Sequence, residues 1–428
     1  MGQKLHDDFL KLFSEKNSDG TLHLRLKGRE LFQRIGTRLK AEDMHKIAAF
    51  LISNPEIISL DMCYNNIGDK GLKILSKNFF NQDNKLAHIN LMCCDIRAEG
   101  MKSFSSSAFL KLKSCRINGN NIGAEGARYI AKLIQNCPTL ENIDIAETEQ
   151  TLESIESILI VIEDSTLKAV DISRIIPASY YTKFNTATLA DDIGVVLKLN
   201  STLVEIHIQK CHIDGHDIEL LLSGLEANKI LEMLDLGCNH IGDLGVEYLA
   251  QWLKRRPALR ALNLSSNSIK NFGARALSFG LPFSKVRFLD ISNNNIEDLG
   301  LTDLLDTIKK YCRMRILFMW GNNFGAVACK RLSRMLKSEI IEQEYIDVRI
   351  YEVDGELHAA YYPTNHYKHK YYGVMDYGCR VELKIKRNEI PDPLALPREL
   401  LNFRHIGRYP PVDKRLGLLQ KKVKECPS

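Results

Sequence analysis

The chain has 428 residues, 45% of them apolar and 26% charged, with a formal net charge of +5 and eleven cysteines. No stretch approaches the ~18 to 20 consecutive apolar residues of a membrane-spanning helix, and the polar opening Met1-Gly2-Gln3-Lys4 is no secretory signal, so an intracellular protein without a membrane role is expected. The cysteines form no paired C-x-x-C framework, which suits reduced thiols, and neither Cys93-Cys94 nor His366, His369 and Cys379 has the spacing of a metal site.

Residues 1–55 read as an N-terminal cap, with Leu22, Leu24 and Leu26 alternating as a strand and Ala41 to Ile52 forming an amphipathic helix. From 56 to 338, ten segments mostly 26 to 29 residues apart carry L-x-x-L-x-L-x-x-N-x-I or a variant, which predicts a repeat solenoid. Four clean copies are consecutive, such as Leu231, Leu234, Leu236, Asn239, Ile241 and Leu259, Leu262, Leu264, Asn267, Ile269. Apolar residues two apart point the same way from a short strand and enter the core, leaving the residues between them on the concave side. The asparagine both donates and accepts, so stacked copies can satisfy the backbone where it leaves each strand. The predicted ladder is Asn65, Cys94, Asn120, Cys211, Asn239, Asn267, Asn294 and Asn322, interrupted at the centre where Thr148 and Ile175 replace asparagine.

The interval between Val170 and Ile206 is about eight residues too long. The excess lies between Arg174 and Ala187, placing Tyr180, Tyr181 and Phe184 on an inserted loop that either binds a partner or plugs the interrupted ladder. Strand alternation predicts a concave column of Asp61, Asn90, Arg116, Asp144, Asp171, His207, Asp235, Asn263, Asp290 and Phe318, five of them aspartates, which favours a basic partner. Towards its C-terminal end that face becomes apolar through Met233, Phe288, Ile316, Phe318 and Trp320, a candidate hot spot unless the following segment covers it. Asp144, Asp171, His207, Asp235, Asp290, Phe288, Phe318 and Trp320, with the three loop aromatics, are therefore the candidate partner-binding residues.

Residues 339–390 read as a tyrosine-rich C-terminal cap with a β-hairpin turning at Asp354-Gly355, and a further strand is expected at Val381, Leu383 and Ile385. Residues 391–428 are a Pro-containing basic tail; from His366 to Glu425 there are 14 Lys or Arg against 7 Asp or Glu. Such a tail suits an acidic protein, and with no nucleic-acid module in the chain, direct nucleic-acid binding is not expected. Neither a Walker A sequence, a G-x-S-x-G elbow, an H-E-x-x-H pair nor a kinase signature set is present, so no catalytic residue, cofactor or small-molecule substrate is predicted.

The 28-residue period with N-x-I-G-x-x-G before a helix, as at Asn65-Asn66-Ile67-Gly68-Asp69-Lys70-Gly71, resembles the ribonuclease-inhibitor-like class of leucine-rich repeats over roughly residues 22 to 337. That resemblance implies an α/β horseshoe with a parallel inner sheet and outer helices. It also implies a non-enzymatic protein-interaction scaffold. The class includes ribonuclease inhibitors, Ran GTPase-activating proteins, receptor sensor domains and axonemal subunits. This chain has too little cysteine and too loose an alternation of repeats for an inhibitor, and a basic segment where Ran activators carry an acidic one. It has no NTPase module of a nucleotide-sensing receptor. Its size, short N-terminal cap and non-repeat extension are similar to a germ- and stem-cell member of the class, which implies acidic nucleolar proteins as partners, a nuclear, nucleolar or cytoplasmic location and a link to ribosome biogenesis. A structural subunit of the ciliary axoneme and a Ran-type activator are the alternatives.

Overall fold

A computed structural model of the protein describes residues 5–363, apart from position 18, residues 177–184, residues 312 and 313, and position 315. Twelve strands lie side by side in chain order: β1 Ser14–Lys16, β2 Leu22–Arg25, β3 Ile57–Asp61, β4 His88–Asn90, β5 Ser114–Arg116, β6 Asn142–Asp144, β7 Ala169–Asp171, β8 Glu205–His207, β9 Met233–Asp235, β10 Ala261–Asn263, β11 Phe288–Asp290 and β12 Ile316–Phe318. All pairs are parallel except β1 with β2, and from β3 onward equivalent positions of successive repeats are Cα partners. The expected α/β solenoid, with a parallel inner sheet and outer helices, is therefore the fold.

From β4 onward each strand contributes its central residue to the core, as Ile143, Val170, Ile206, Leu234 and Leu262 do, and one continuous apolar core runs from Leu10 to Val348. Between strands the chain returns through helices such as Gly123–Asn136, Gly215–Ala227, Gly242–Lys254 and Asn271–Gly280, each packed on its neighbours in sequence. Gly242 enters its helix at φ +59, where a side chain would strain the backbone. Gly224 serves packing instead: a Cβ there would lie 1.9 Å from the Gly194 carbonyl oxygen, so small residues let these two helices touch.

The ladder is assembled from hydrogen bonds between repeats. Asn120 Oδ1 accepts from the Cys94 and Ile96 amides at 2.9 and 3.1 Å, while its Nδ2 donates to the Leu91 and Ile117 carbonyls. Asn65, Asn239, Asn267, Asn294 and Asn322 likewise donate to carbonyls of the preceding repeat, and the Cys94 and Cys211 thiols take over that donation. At the centre Thr148 Oγ donates to the Ile145 carbonyl at 2.8 Å, and Gln150 Nε2 reaches the Gly123 carbonyl at 3.2 Å. Only the buried Ile175 is an apolar rung, so the interruption is one repeat long where two were expected.

Both ends of the stack are elaborated. At the N-terminus, Asn65 donates to the Leu26 carbonyl just before helix Gly28–Ile35 and accepts from the Leu39 amide between that helix and Met44–Ser53, so the region forms a further repeat closed by the antiparallel β1. The predicted Ala41–Ile52 helix begins with a 3-10 turn at Ala41–Asp43, and Gly28–Ile35 is a helix the pattern did not reveal. At the C-terminus Ile346 bridges Leu317, and β13 (Val348–Val353) and β14 (Glu356–Tyr361) form an antiparallel hairpin through Asp354-Gly355. Tyr180, Tyr181, Phe184, the strand expected at 381–385 and the tail at 391–428 lie outside the described residues.

Candidate functional site

The concave column differs from its expected form. Asp61, Asn90, Arg116, Asp144, Asp171, His207, Asp235, Asn263, Asp290 and Phe318 are each at most 2% exposed. They stand flanked at the ~4.8 Å strand spacing and spend their polar atoms along the sheet, which is why a solvent-facing row of charges does not result.

The first use of the column is local. In seven repeats its Oδ1 accepts the amide two residues on: Asp61 from Cys63, Asn90 from Met92, Asp144 from Ala146, Asp171 from Ser173, Asp235 from Gly237, Asn263 from Ser265 and Asp290 from Ser292, all at 2.9 to 3.2 Å. These bonds turn the chain into a left-handed residue one position further, as at Tyr64, Cys93, Glu147, Arg174, Cys238, Ser266 and Asn293, with φ between 50 and 60. The three exceptions have substitutes. Arg116 and Phe318 are followed by Gly119 and Gly321, for which positive φ is unstrained. For His207, Ser173 Oγ of the preceding repeat accepts the Gln209 amide. At Phe318, Asp347 of the C-terminal cap also supplies the carboxylate, accepting from the Met319 and Trp320 amides at 2.7 and 3.0 Å. The aspartates are thus turn-formers first, a role that the D-x-x spacing after each strand carries.

The second oxygen of each carboxylate makes the chemistry of the face. Arg116 Nε donates to Asp144 Oδ2 at 3.0 Å. His207 lies between Glu205 Oε1 (2.5 Å) and Asp235 Oδ2 (2.7 Å), and Asp235 also accepts from Gln209 Nε2 and Asn263 Nδ2. Asp171 sits between these two clusters, a Cα partner of both Asp144 and His207, and its Oδ2 has no hydrogen-bond partner. On the same face of β6, neither side-chain atom of the buried Asn142 is hydrogen-bonded. Burial, then the nearby Asp171, push the Asp144 carboxyl up to about 7 against the pull of Arg116. Burial likewise raises Asp171, against the pull of His207 and the Ser173 bonds. Further along, burial and then Lys113 push the His88 imidazole down to about 4. The centre of the face therefore holds buried carboxylates, two of them, Asp144 and Asp235, paired with Arg116 and His207 along the sheet.

From β9 onward the first position of each strand on this face is apolar. Met233, Ala261, Phe288, Ile316 and Phe318 form one buried cluster with Tyr345, and the Phe288 and Phe318 rings meet edge-on at 5.3 Å. Trp320 is half-buried, with Tyr361 of the hairpin 6.0 Å from its ring. Phe288 and Phe318 are therefore core residues of the cap and no exposed hot spot; the tyrosine-rich segment covers them. The described cysteines are free thiols, and burial raises Cys211, to about 12, which leaves it protonated and inert.

A second row was missed by strand reasoning because it lies on the helices. Five residues past the ladder position, the earlier repeats expose Lys70, Glu99, Glu125, Glu153 and His216. At that position the last four repeats expose Leu244 (41%), Phe272 (79%), Leu299 (67%) and Val327 (50%). The words D-L-G, N-F-G and D-L-G after N-x-I were its sequence signal. With Phe279, also exposed, Leu244 and Phe272 line a 520 Å³ groove rimmed by Glu247, Lys254 and Arg275.

A leucine-rich-repeat family model matches residues 53–76, 82–105, 111–131, 227–250, 257–278 and 284–305. The chain is similar to leucine-rich repeat-containing protein 34 of mouse, 36% identical over 188 residues, which is 44% of this chain and 45% of that protein. To the human protein of the same name it is 36% identical over 213 residues, 49% of this chain and 45% of that one. Ribonuclease inhibitor of pig is 25% identical over 203 residues, covering 46% of this chain and 43% of the inhibitor. The chain thus spans less than half the length of these relatives. Leucine-rich repeats generally act in protein–protein interaction, and no helix among the described residues is long and apolar enough to cross a membrane. Repeat spacing, ladder, parallel sheet and relatives agree: the chain carries leucine-rich repeats and is similar to the ribonuclease-inhibitor-like class.

Proposed function

We propose that the protein is a non-enzymatic scaffold that holds a protein partner against the helical side of its last four repeats. The observation that carries this reading is the row Leu244, Phe272, Leu299 and Val327, exposed at one repeat position where earlier repeats expose charged or polar groups. Four apolar side chains aligned across consecutive helices form a stripe, and a rigid solenoid presents it at little entropic cost. The charged rim of Glu247, Lys254 and Arg275 beside the Phe272–Phe279 groove suits an amphipathic segment of the partner.

Acidic nucleolar proteins as partners of the tail, a nuclear or nucleolar location and a part in ribosome biogenesis belong to this proposal. The basic surplus between His366 and Glu425 and the similarity to leucine-rich repeat-containing protein 34 support it. Affinity capture with the full chain and with Phe272→Glu/Leu299→Glu, read by mass spectrometry, is the test. Partners lost from the double variant at unchanged melting temperature are the expected result; an identical partner set rejects the helical stripe. Dose-dependent acceleration of GTP hydrolysis by Ran would replace the scaffold with the Ran-type activator, and capture of axonemal subunits would place the scaffold in the cilium.

A further inference from the structure

We infer that residues 364–428 of this same chain dock on the concave face, placing a Lys or Arg side chain over Asp171 between β6 and β8. The inference concerns the face opposite the helical stripe and does not rest on it. Asp144 and Asp171 are register partners on adjacent strands, both fully buried, and Arg116 pairs with Asp144. Asp171 Oδ2 and both side-chain atoms of Asn142 have no hydrogen-bond partner. A buried carboxylate oxygen and amide left unsatisfied cost stability, and a guanidinium or ammonium group seated between them supplies donors to the acceptor oxygens and offsets the charge.

Three features point to the C-terminal segment as the occupant. The first is charge: residues 366–425 hold 14 basic against 7 acidic residues, including Lys384, Lys386 and Arg387 within four positions. The second is where the described chain ends. The Tyr362 amide donates to the Asp347 carbonyl, and Asp347 holds the Met319 and Trp320 amides, so the chain leaves the hairpin beside the last strand of the inner sheet. The preceding Tyr345 already lies on that sheet, packed with Phe288 and Phe318. The third is reach. Five strand spacings separate β12 from β7, roughly 24 Å at ~4.8 Å each, which about eight extended residues span. The segment beyond Pro363 has 65 residues.

Chymotrypsin digestion of the full chain, followed by intact mass, tests the inference, because Tyr367, Tyr371, Tyr372, Tyr377 and Tyr409 are cleavage sites in the segment. At low salt these sites should be cut about tenfold more slowly than in a synthetic 364–428 peptide, and at the peptide's rate in ~1 M salt, where the screening length is ~3 Å. Asp144→Asn/Asp171→Asn should restore the peptide rate. So should Lys384→Glu/Lys386→Glu/Arg387→Glu, which leaves the solenoid untouched and keeps the test valid if the first variant fails to fold. Peptide-like cleavage of the wild-type chain overturns the inference. Protection that survives charge reversal also overturns it, assigning the segment to the apolar end, and protection that grows with protein concentration overturns it in favour of a second copy.

Discussion

The repeats before β9 and those from β9 onward share one backbone and differ on both faces. Inside, Ser59, His88, Ser114, Asn142 and Glu205, with Ala169 the one apolar member, give way to Met233, Ala261, Phe288 and Ile316; outside, Lys70, Glu99, Glu125, Glu153 and His216 give way to Leu244, Phe272, Leu299 and Val327. Both changes fall at the same repeat, and the turn geometry does not change with them. Fold and surface chemistry are therefore written at different positions of the same 28-residue word, so one half can be charged and the other apolar without a second domain.

The largest test of that contrast is in the apolar half. Phe318→Ala should cost about 3 to 5 kcal/mol, since it leaves a hole among Phe288, Ile316 and Tyr345. In a chain cut after Pro363, Asp171→Asn, at the equivalent position of the polar half, should be neutral or stabilising in urea melts, because it removes a buried carboxylate oxygen that has no partner among the described residues. A destabilisation of the second comparable to the first would erase the distinction. Next come the ladder residues, which both halves share: Asn239→Ala and Asn267→Ala should each cost about 1 to 3 kcal/mol by stranding buried backbone groups, and Thr148→Ala, which strands one carbonyl and loses a longer bond from Gln150 Nε2, about 1 kcal/mol. Melts of the asparagine variants indistinguishable from the parent would remove the ladder as a source of stability.

The pH dependence should come from the polar half. The Asp144 carboxyl stays protonated in the folded state up to about 7, whereas the unfolded chain releases its proton near 3.8, so this residue makes stability fall as pH rises from about 4 to about 7. His88 acts in the other direction: the unfolded chain takes a proton near 6.5 that the buried ring refuses until about 4, so stability falls as pH drops through that window. Urea midpoints between pH 4 and 8 should lose the first slope in Asp144→Asn and the second in His88→Gln; unchanged slopes would detach these groups from the profile. The smallest effect belongs to the helical stripe, where Phe272→Ser, 79% exposed, should move stability by no more than about 0.5 kcal/mol. A larger loss in its melt would make Phe272 a packing residue.

The sequence disclosed the periodicity, and with it the sheet, the core rows and the ladder, because Leu, Ile and Asn recur at positions where burial leaves few substitutes. It did not disclose that Asp144 or Asp235 would be buried. Alternation says which side of a strand a residue faces, but not whether its oxygens are taken by the Ala146 or Gly237 amide and by Arg116 or His207 alongside. Nor did it single out Leu244 and Phe272, since a lone apolar residue in a helix is unremarkable until the repeats are stacked in register. The cover over Phe288 and Phe318 depended on Tyr345, which only the bridge between Leu317 and Ile346 brings there.

The treatment of the two sheet ends bears on how the molecule behaves in a crowded solution. A bare parallel edge is a template on which another chain can add strands, and a stack of parallel repeats with two such edges would grow head to tail into filaments. Here β1 runs antiparallel to β2, which alters the hydrogen-bonding pattern that the first edge offers to a newcomer. At the other edge Ile346 occupies the bonding position beside Leu317, and the chain then folds back on itself as β13 and β14. These terminal devices oppose polymerisation, and a solenoid stripped of either one should be judged first by light scattering.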